Sequence, residues 1–261
     1  MKGFFNTGNT CYFNTALQTM MQVNELNNLF KLQDYSGKCK FTSAYQDVVR
    51  RYNSGDENDS IDVSNLLGCL KTQFFQFSDG RQHDVQEVIL CILDIFEKSI
   101  PNIKKLFYGI LGQETVWPEG KSLKDNLFCF SILDPGLSLE ESLKKTHDWK
   151  PLEGYKDDND KVWNIGATRT FYKKVPPYFL FTFIIRNSIE IPENIIINKS
   201  KFIFASGSIH TGGQNYGHYV SVINNNGKYK LIDDDTIQDI NFPKQAGYYT
   251  IMYKCLNPET L

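Results

Sequence analysis

The sequence predicts an α+β protein whose helices come first and whose strands follow. From residue 11 to residue 99, apolar side chains recur at the spacing of one helix face. From Phe107 onward, short alternating or wholly apolar runs are punctuated by Gly, Pro, Asn and Asp, as strands and turns are. No repeat, low-complexity tract or flexible linker interrupts this order. A chain of 261 residues can bury a substantial core, so one domain is expected over 1–261.

The first helix begins at Cys11 and presents Phe13, Ala16, Leu17, Met20 and Met21 on one face. Asn9 or Thr10 is placed to cap it, because a short polar side chain accepts the free N–H groups of a first turn. The positive helix end favours a thiolate and makes Cys11 a candidate nucleophile. The plainer alternative is a small buried residue. Tyr45, Val48, Val49 and Tyr52 mark another helical segment, and Val63, Leu66, Leu67 and Leu70 a third. The run Gln82-His83-Asp84-Val85-Gln86-Glu87 opens a further helix, with Val85, Val88, Ile89, Ile92, Leu93 and Phe96 along its apolar face. Its acids Asp84 and Glu87 either complement the helix dipole or form a pocket for a basic peptide. Residues 121–143 are mixed, with room for one short helix. After Lys174-Val175-Pro176-Pro177, the run from Tyr178 to Arg186 is apolar enough for a strand buried on both faces.

Tyr216 to Ile223 and Lys228 to Ile232 form a predicted hairpin around the turn cluster 224–227. With Asn226-Gly227 as the turn, His218 sits opposite Asp235 and diagonal to Asp233. With the turn at Asn225-Asn226, or four residues long, His218 faces Asp233 directly. In each of these registers Asp233 shares the face of His218 while Asp234 points away; a three-residue loop reverses that parity. The hairpin can therefore build a His–Asp pair in which the carboxylate holds the imidazole tautomer. The alternative is a surface histidine beside solvated acids. Asn6, ahead of Cys11 in a Gly-containing loop, can fold its amide towards an oxyanion beside the Cys11 N–H, or can serve as a turn or cap residue.

Together these segments resemble the ubiquitin-specific protease family, cysteine peptidases that remove ubiquitin. The likeness rests on a cysteine box over Gly3–Gln18, a glutamine–aspartate box over Gln82–Asp94 and the Lys-x-Pro-Pro strand over 174–186. It continues in a histidine box, from His210-Thr211-Gly212 through Gly217-His218-Tyr219 to Asp233-Asp234, and in the closing strand Tyr248–Tyr253. The Gln-His-Asp-Val-Gln-Glu form of 82–87 is similar to that of the herpesvirus-associated member. The resemblance implies a papain-like cysteine peptidase fold with a helical thumb (1–106), β fingers (107–170) and an antiparallel β palm (171–261).

It also implies the chemistry. His218 deprotonates Cys11, or pairs with it as thiolate and imidazolium; Asp233 orients the ring, and Asp234 binds water or shares the work. Asn6 helps hold the oxyanion. Ubiquitin's Leu-Arg-Leu-Arg-Gly-Gly tail needs acids for its arginines and a narrow slot for its glycines. Asp84 and Glu87, with Gln86 beside them, fit the first need, and Gly217 and Tyr219 wall the slot. The implied partners are ubiquitin and ubiquitinated proteins. A protease for a ubiquitin-like modifier and a non-catalytic ubiquitin-binding module are the alternatives.

Some features depart from the family. Many members hold a structural zinc with two Cys-x-x-Cys pairs in the fingers, whereas this region offers only Cys129. No metal or cofactor is expected, and Leu127, Phe128, Phe130 and Ile132 are the candidates for packing the fingers instead. The connection from Arg186 to His210 is short, which predicts a less gated channel; Ile232 replaces an aromatic. The chain starts almost on the cysteine box, which leaves no room for an amino-terminal targeting domain. A net charge of −2 argues against a nucleic-acid surface, and no stretch approaches the roughly 20 apolar residues of a membrane span. Six cysteines without Cys-x-x-Cys spacing or an export signal predict reduced thiols in the cytoplasm or nucleus.

Overall fold

The computed structural model describes residues 1–55, 59–184, 188–213 and 216–257. Its helices are α1 (Cys11–Met20), α2 (Asn24–Leu32), α3 (Lys40–Tyr52), α4 (Ser64–Gln73), α5 (Val85–Ser99), α6 (Lys104–Phe107) and α7 (Leu139–His147). Before α7 come strands β1 (Gly109–Trp117), β2 (Gly120–Phe128) and β3 (Phe130–Leu133). After it follow β4 (Lys150–Leu152), β5 (Tyr155–Lys156), β6 (Val162–Trp163), β7 (Gly166–Lys174), β8 (Tyr178–Phe183), β9 (Ile189–Glu190) and β10 (Asn194–Ile197). The last group is β11 (Ser200–Gly212), β12 (Gly217–Asn225), β13 (Lys228–Asp233), β14 (Thr236–Ile240), β15 (Gln245–Ala246) and β16 (Tyr248–Cys255). Helices thus precede strands as the periodicity predicts, and the mixed region 121–143 divides into β2, β3 and the start of α7.

The helical half is built around α1, all ten of whose residues are buried. It lies between α5 and strands β11 and β12, so no face of it meets water. Its buried polar side chains have specific tasks. Gln18 donates to the Lys2 carbonyl at 2.8 Å and accepts from the Tyr52 hydroxyl at 2.9 Å; Asn14 donates to the carbonyls of Phe4 and Phe5 at 3.3 Å. The amino-terminal segment is extended and would otherwise leave these backbone groups unpaired in the interior. Around α1, the predicted faces of α3, α4 and α5 are buried, and Phe96 meets Phe30, Phe41 and Tyr45 at ring separations of 5.4, 6.0 and 4.9 Å.

The larger sheet runs β14-β13-β12-β11-β16-β8-β3, with β10 also on β11. Its pairs are antiparallel except β3 with β8. Of the run predicted to be buried on both faces, Tyr178–Phe183 form β8 and all six are buried, whereas Ile184 lies just past the strand and is 59% exposed. Tyr178 and Leu180 join the helical core, whereas Phe179, Phe181 and Phe183 build a second core on the far face with Phe202, Phe204, Ile251 and Tyr253. Ile185 and Arg186, which the same prediction included, lie outside the described residues.

The smaller sheet, β2-β1-β7-β4, projects from this body. Of the side chains expected to pack it, Phe130 is buried and Phe128 leans on Tyr172 and Phe179, both at 5.6 Å. Leu127 and Ile132 are instead 69% and 56% exposed, because they point from the open faces of β2 and β3. The tip is closed by Trp117 against Tyr155 at 4.9 Å and by the Trp163 indole N–H donating to Asp157 at 2.9 Å. Cys129, half-buried beside Tyr108, has no second thiol near it in this sheet, and that donor set does not fit a zinc tetrahedron.

Phe96→Ala should cost about 3–5 kcal/mol, the usual cost of emptying a fully buried aromatic site. The midpoint of urea unfolding would fall accordingly; a shift near zero would show that α5 is not central to the helical core.

Candidate active site

Because α1 is wedged against β11 and β12, its first residue meets the hairpin that carries His218. The expected side-chain cap is not formed. The Thr10 hydroxyl accepts from the Thr7 N–H at 3.1 Å and donates to Asn6 Oδ1 at 3.1 Å, while its carbonyl starts the helix by accepting from Phe13 and Asn14. Cys11 is 1% exposed, and the backbone N–H of Tyr219 faces its sulfur.

The electrostatics correct the expectation of a lowered thiol pKa. Burial pushes the Cys11 thiol up, the Asp234 charge adds to this, and the backbone amides of Tyr219, Tyr12 and Cys11 oppose it. A helix end contributes about 0.3–1 kcal/mol, under one pKa unit. Burial can move a pKa by up to roughly 3–5 units, so desolvation wins. The raised pKa favours the neutral thiol.

The hairpin brings an imidazole and a carboxylate together. Its register pairs Asn225 with Lys228 and Ser221 with Ile232, which makes Asn226-Gly227 the two-residue turn. Both turn residues have positive φ, 54° and 83°, as a primed turn requires. His218 is then diagonal to Asp233, and its Nε2 lies 2.5 Å from Asp233 Oδ1. With Asp233 accepting from Nε2–H, the lone pair of the neutral ring sits on Nδ1. Among the described residues no hydrogen bond yet joins the Cys11 sulfur to this ring.

Asp234 does not point away as strand parity predicted. The pairing of β13 ends at Asp233, and Asp234 turns into the left-handed region (φ 52°), so its carboxylate clusters within 4.8 Å of His218 and Asp233. There it accepts from Asn6 Nδ2 at 2.7 Å and Asn14 Nδ2 at 2.8 Å. Asn6 is held at its other end too, since its Oδ1 accepts from the Gly8 and Thr10 N–H groups. Gly3 allows this approach: a Cβ there would lie 2.5 Å from the Asp235 backbone.

A cleft of about 940 Å³ opens beside Cys11, lined by residues including Asn9, Asp79, Arg81, Gln82, Asp84, His210, Gly217 and Tyr219. Of the expected tail-binding residues, Asp84, Gly217 and Tyr219 line it. Glu87 is exposed on the first turn of α5, and neither it nor Gln86 is part of the lining. Asp84 also has structural work. One oxygen caps α5 by accepting from the Gln86 N–H at 2.8 Å, and the other accepts from the Tyr249 hydroxyl. Gly217 is required by space, since a Cβ would collide with the Thr211 carbonyl and the His210 ring.

Several contributors had no role assigned from sequence: Asn14, which grips Asp234; Tyr249; Asp79, which holds His83 at 2.8 Å; and Gln82. The Gln82 amide donates to the Gly217 carbonyl and lies 3.9 Å from the Cys11 sulfur. Only its place before the acid-capped helix was visible in sequence.

A buried thiol facing the hairpin that carries the His218–Asp233 pair, on helices packed against an antiparallel sheet, has the make-up of a thiol hydrolase site. The chain belongs to the ubiquitin carboxyl-terminal hydrolase family, whose profile matches residues 2–253. It is 27% identical over 97% of its length to a probable ubiquitin carboxyl-terminal hydrolase 16 of Schizosaccharomyces pombe, and spans 66% of that protein. Similarity to ubiquitin carboxyl-terminal hydrolase 1 of Arabidopsis thaliana is 29% over 36% of this chain and 9% of that protein. The fold is shared with Ubp8 in the SAGA DUB module bound to ubiquitin aldehyde, with a TM-score of 0.86, 18% identity, and coverage of 98% of this chain and 70% of that one. A second structure of that module, bound to monoubiquitin, gives a TM-score of 0.87 at 17% identity, with 98% and 69% covered.

Carbamidomethylation of Cys11, followed by peptide mass across pH, should keep accelerating above the ordinary thiol range, since a raised pKa leaves the sulfur protonated there. Asp234→Asn removes a charge that raises the pKa, so its profile should move to lower pH. A wild-type midpoint below the ordinary thiol value would show that the helix end outweighs burial.

Proposed function

We propose that this protein is a thiol-dependent deubiquitinase that cleaves the bond after the C-terminal glycine of ubiquitin in conjugates or chains. The observation that carries the reading is the His218–Asp233 pair, with His218 in the strand whose Tyr219 N–H faces the Cys11 sulfur and with Gly217 and Tyr219 lining the adjoining cleft. Because the thiol is neutral at rest, His218 acts as general base through Nδ1 when substrate brings ring and sulfur together, and Asp233 stabilises the resulting imidazolium. The sulfur forms a bond to the glycine carbonyl carbon, and the carbonyl π pair moves onto oxygen. Collapse of that oxyanion breaks the C–N bond as His218 returns its proton to the leaving lysine amine. Water, deprotonated by His218, then hydrolyses the thioester.

Asn6 suits the oxyanion because four hydrogen bonds fix its amide while one Nδ2 hydrogen has no partner among the described residues. Asp234 acts by holding Asn6 in place. In the cleft, Asp79 and Asp84 are the acids nearest a ubiquitin tail, and Glu87 extends that charge along α5. The likeness of 82–87 to the box of the herpesvirus-associated protease supports the same placement of the tail. The open face of the smaller sheet, with Ile110, Leu123 and Leu127 in one cross-strand stripe, suits contact with the globular part of ubiquitin. Six cysteines without Cys-x-x-Cys spacing favour a cytoplasmic or nuclear setting.

A ubiquitin probe with a C-terminal electrophile should label the protein at Cys11. Cys11→Ala should bind ubiquitin yet neither react with the probe nor cleave a ubiquitin–fluorophore amide; cleavage by that variant would remove Cys11 from the mechanism. Asn6→Ala should lose on the order of 100- to 1000-fold in kcat, the usual loss for one oxyanion donor. Asp233→Asn should impair the imidazole and distort the pH–rate profile more than Asp234→Asn does; the reverse order would exchange their roles.

A further inference from the structure

We propose that Gln82 is a catalytic residue, a second side-chain donor to the oxyanion, working beside Asn6. This rests on the deubiquitinase reading above. Gln82 lies in the loop that leads into α5, yet its amide nitrogen reaches across to 3.9 Å from the Cys11 sulfur. The same nitrogen donates to the carbonyl of Gly217, the residue before His218. A primary amide has two N–H bonds, so one can anchor on Gly217 while the other is directed at the space beside the sulfur.

That space is where the developing charge appears. In the tetrahedral intermediate, sulfur and oxyanion are bonded to the same carbon and lie roughly 2.7 Å apart, and a useful donor stands about 3 Å from that oxygen. A nitrogen 3.9 Å from sulfur is compatible with both distances. Preorganisation is also present. The Asp84 carboxylate caps α5 two residues on, the Tyr249 hydroxyl grips Asp84, and Gly217 holds the amide itself. Such a donor does not have to reorient when charge forms, which is the condition under which oxyanion contacts are strongest.

The covalent step leaves Gln82 unchanged. The sulfur–carbon bond forms, the carbonyl electron pair moves to oxygen, and the Gln82 N–H donates a hydrogen bond without transferring its proton. On collapse the pair returns, the carbon–nitrogen bond breaks, and the lysine amine takes its proton from His218.

The test uses the full chain as wild type, Gln82→Ala and Gln82→Glu. The glutamate keeps the side chain's size and replaces the donor with an acceptor, so it reads the same effect if alanine loosens the loop. Turnover of a ubiquitin–fluorophore amide should fall on the order of 100- to 1000-fold in kcat. The affinity for ubiquitin aldehyde, whose carbonyl becomes a tetrahedral adduct on Cys11, should fall in step. Binding of unmodified ubiquitin, measured in a Cys11→Ala background, should stay unchanged, an outcome that a merely structural strut would not give. An active wild type with an equally active Gln82→Ala overturns the role, as does a variant that loses unmodified ubiquitin by the same factor as kcat/KM. A wild type inert to both ubiquitin reagents overturns the deubiquitinase reading, and this role with it.

Discussion

The geometry of the site depends on the carboxylate of Asp234. It accepts hydrogen bonds from Asn6 in the amino-terminal loop and Asn14 in α1, while its own carbonyl accepts from the Phe4 N–H. Three stretches of chain are thereby tied at one point, immediately after the strand that carries Asp233. Hydrogen bonds to a buried charged group contribute about 1.5–3 kcal/mol each, and losing the one from Asn14 would strand an amide that is only 2% exposed. Cys11 belongs to α1 and His218 to the hairpin, so their separation is set by this tie rather than by either element alone.

The tie has an electrostatic consequence. A carboxylate close to a buried sulfur disfavours the thiolate, and burial disfavours it further. Backbone amides of α1 and Tyr219 offset only part of this. Asp233 presents the neutral His218 ring with its lone pair on Nδ1. Burial also means that a substrate has to displace something to reach Cys11. The Gln82 amide, itself anchored to the carbonyl before His218, lies 3.9 Å from the sulfur.

The smaller sheet shows how a projecting element holds together without a cluster of thiolates. Its root shares aromatic packing with the second core through Phe128, Tyr172 and Phe179. Its tip is closed by Trp117 on Tyr155 and by the Trp163–Asp157 bond, with Lys161 over the Trp163 ring at 4.0 Å. These contacts are partly solvated. They hold strand ends together but leave one face of the sheet open, and exposed Leu123 and Leu127 lie on it.

The sequence by itself determined the order of helices and strands, the buried faces of α1, α3, α4, α5 and β8 as far as Phe183, and a hairpin able to set Asp233 on the face of His218, while the structure chose the Asn226-Gly227 register that makes them diagonal. What the sequence determined is written in local periodicity or in the turn cluster 224–227, which act over a few residues. Tertiary structure alone decided the rest. Thr10 abandons its cap because Asn6 competes for its hydroxyl; Asp234 leaves strand parity because a left-handed turn carries it to Asn6 and Asn14. The Cys11 pKa rises because packing against the sheet removes water, a term no helix pattern contains. Gln82 meets Cys11 only because two helices distant in the chain are pressed together, and contacts between distant segments leave no periodic trace in the sequence.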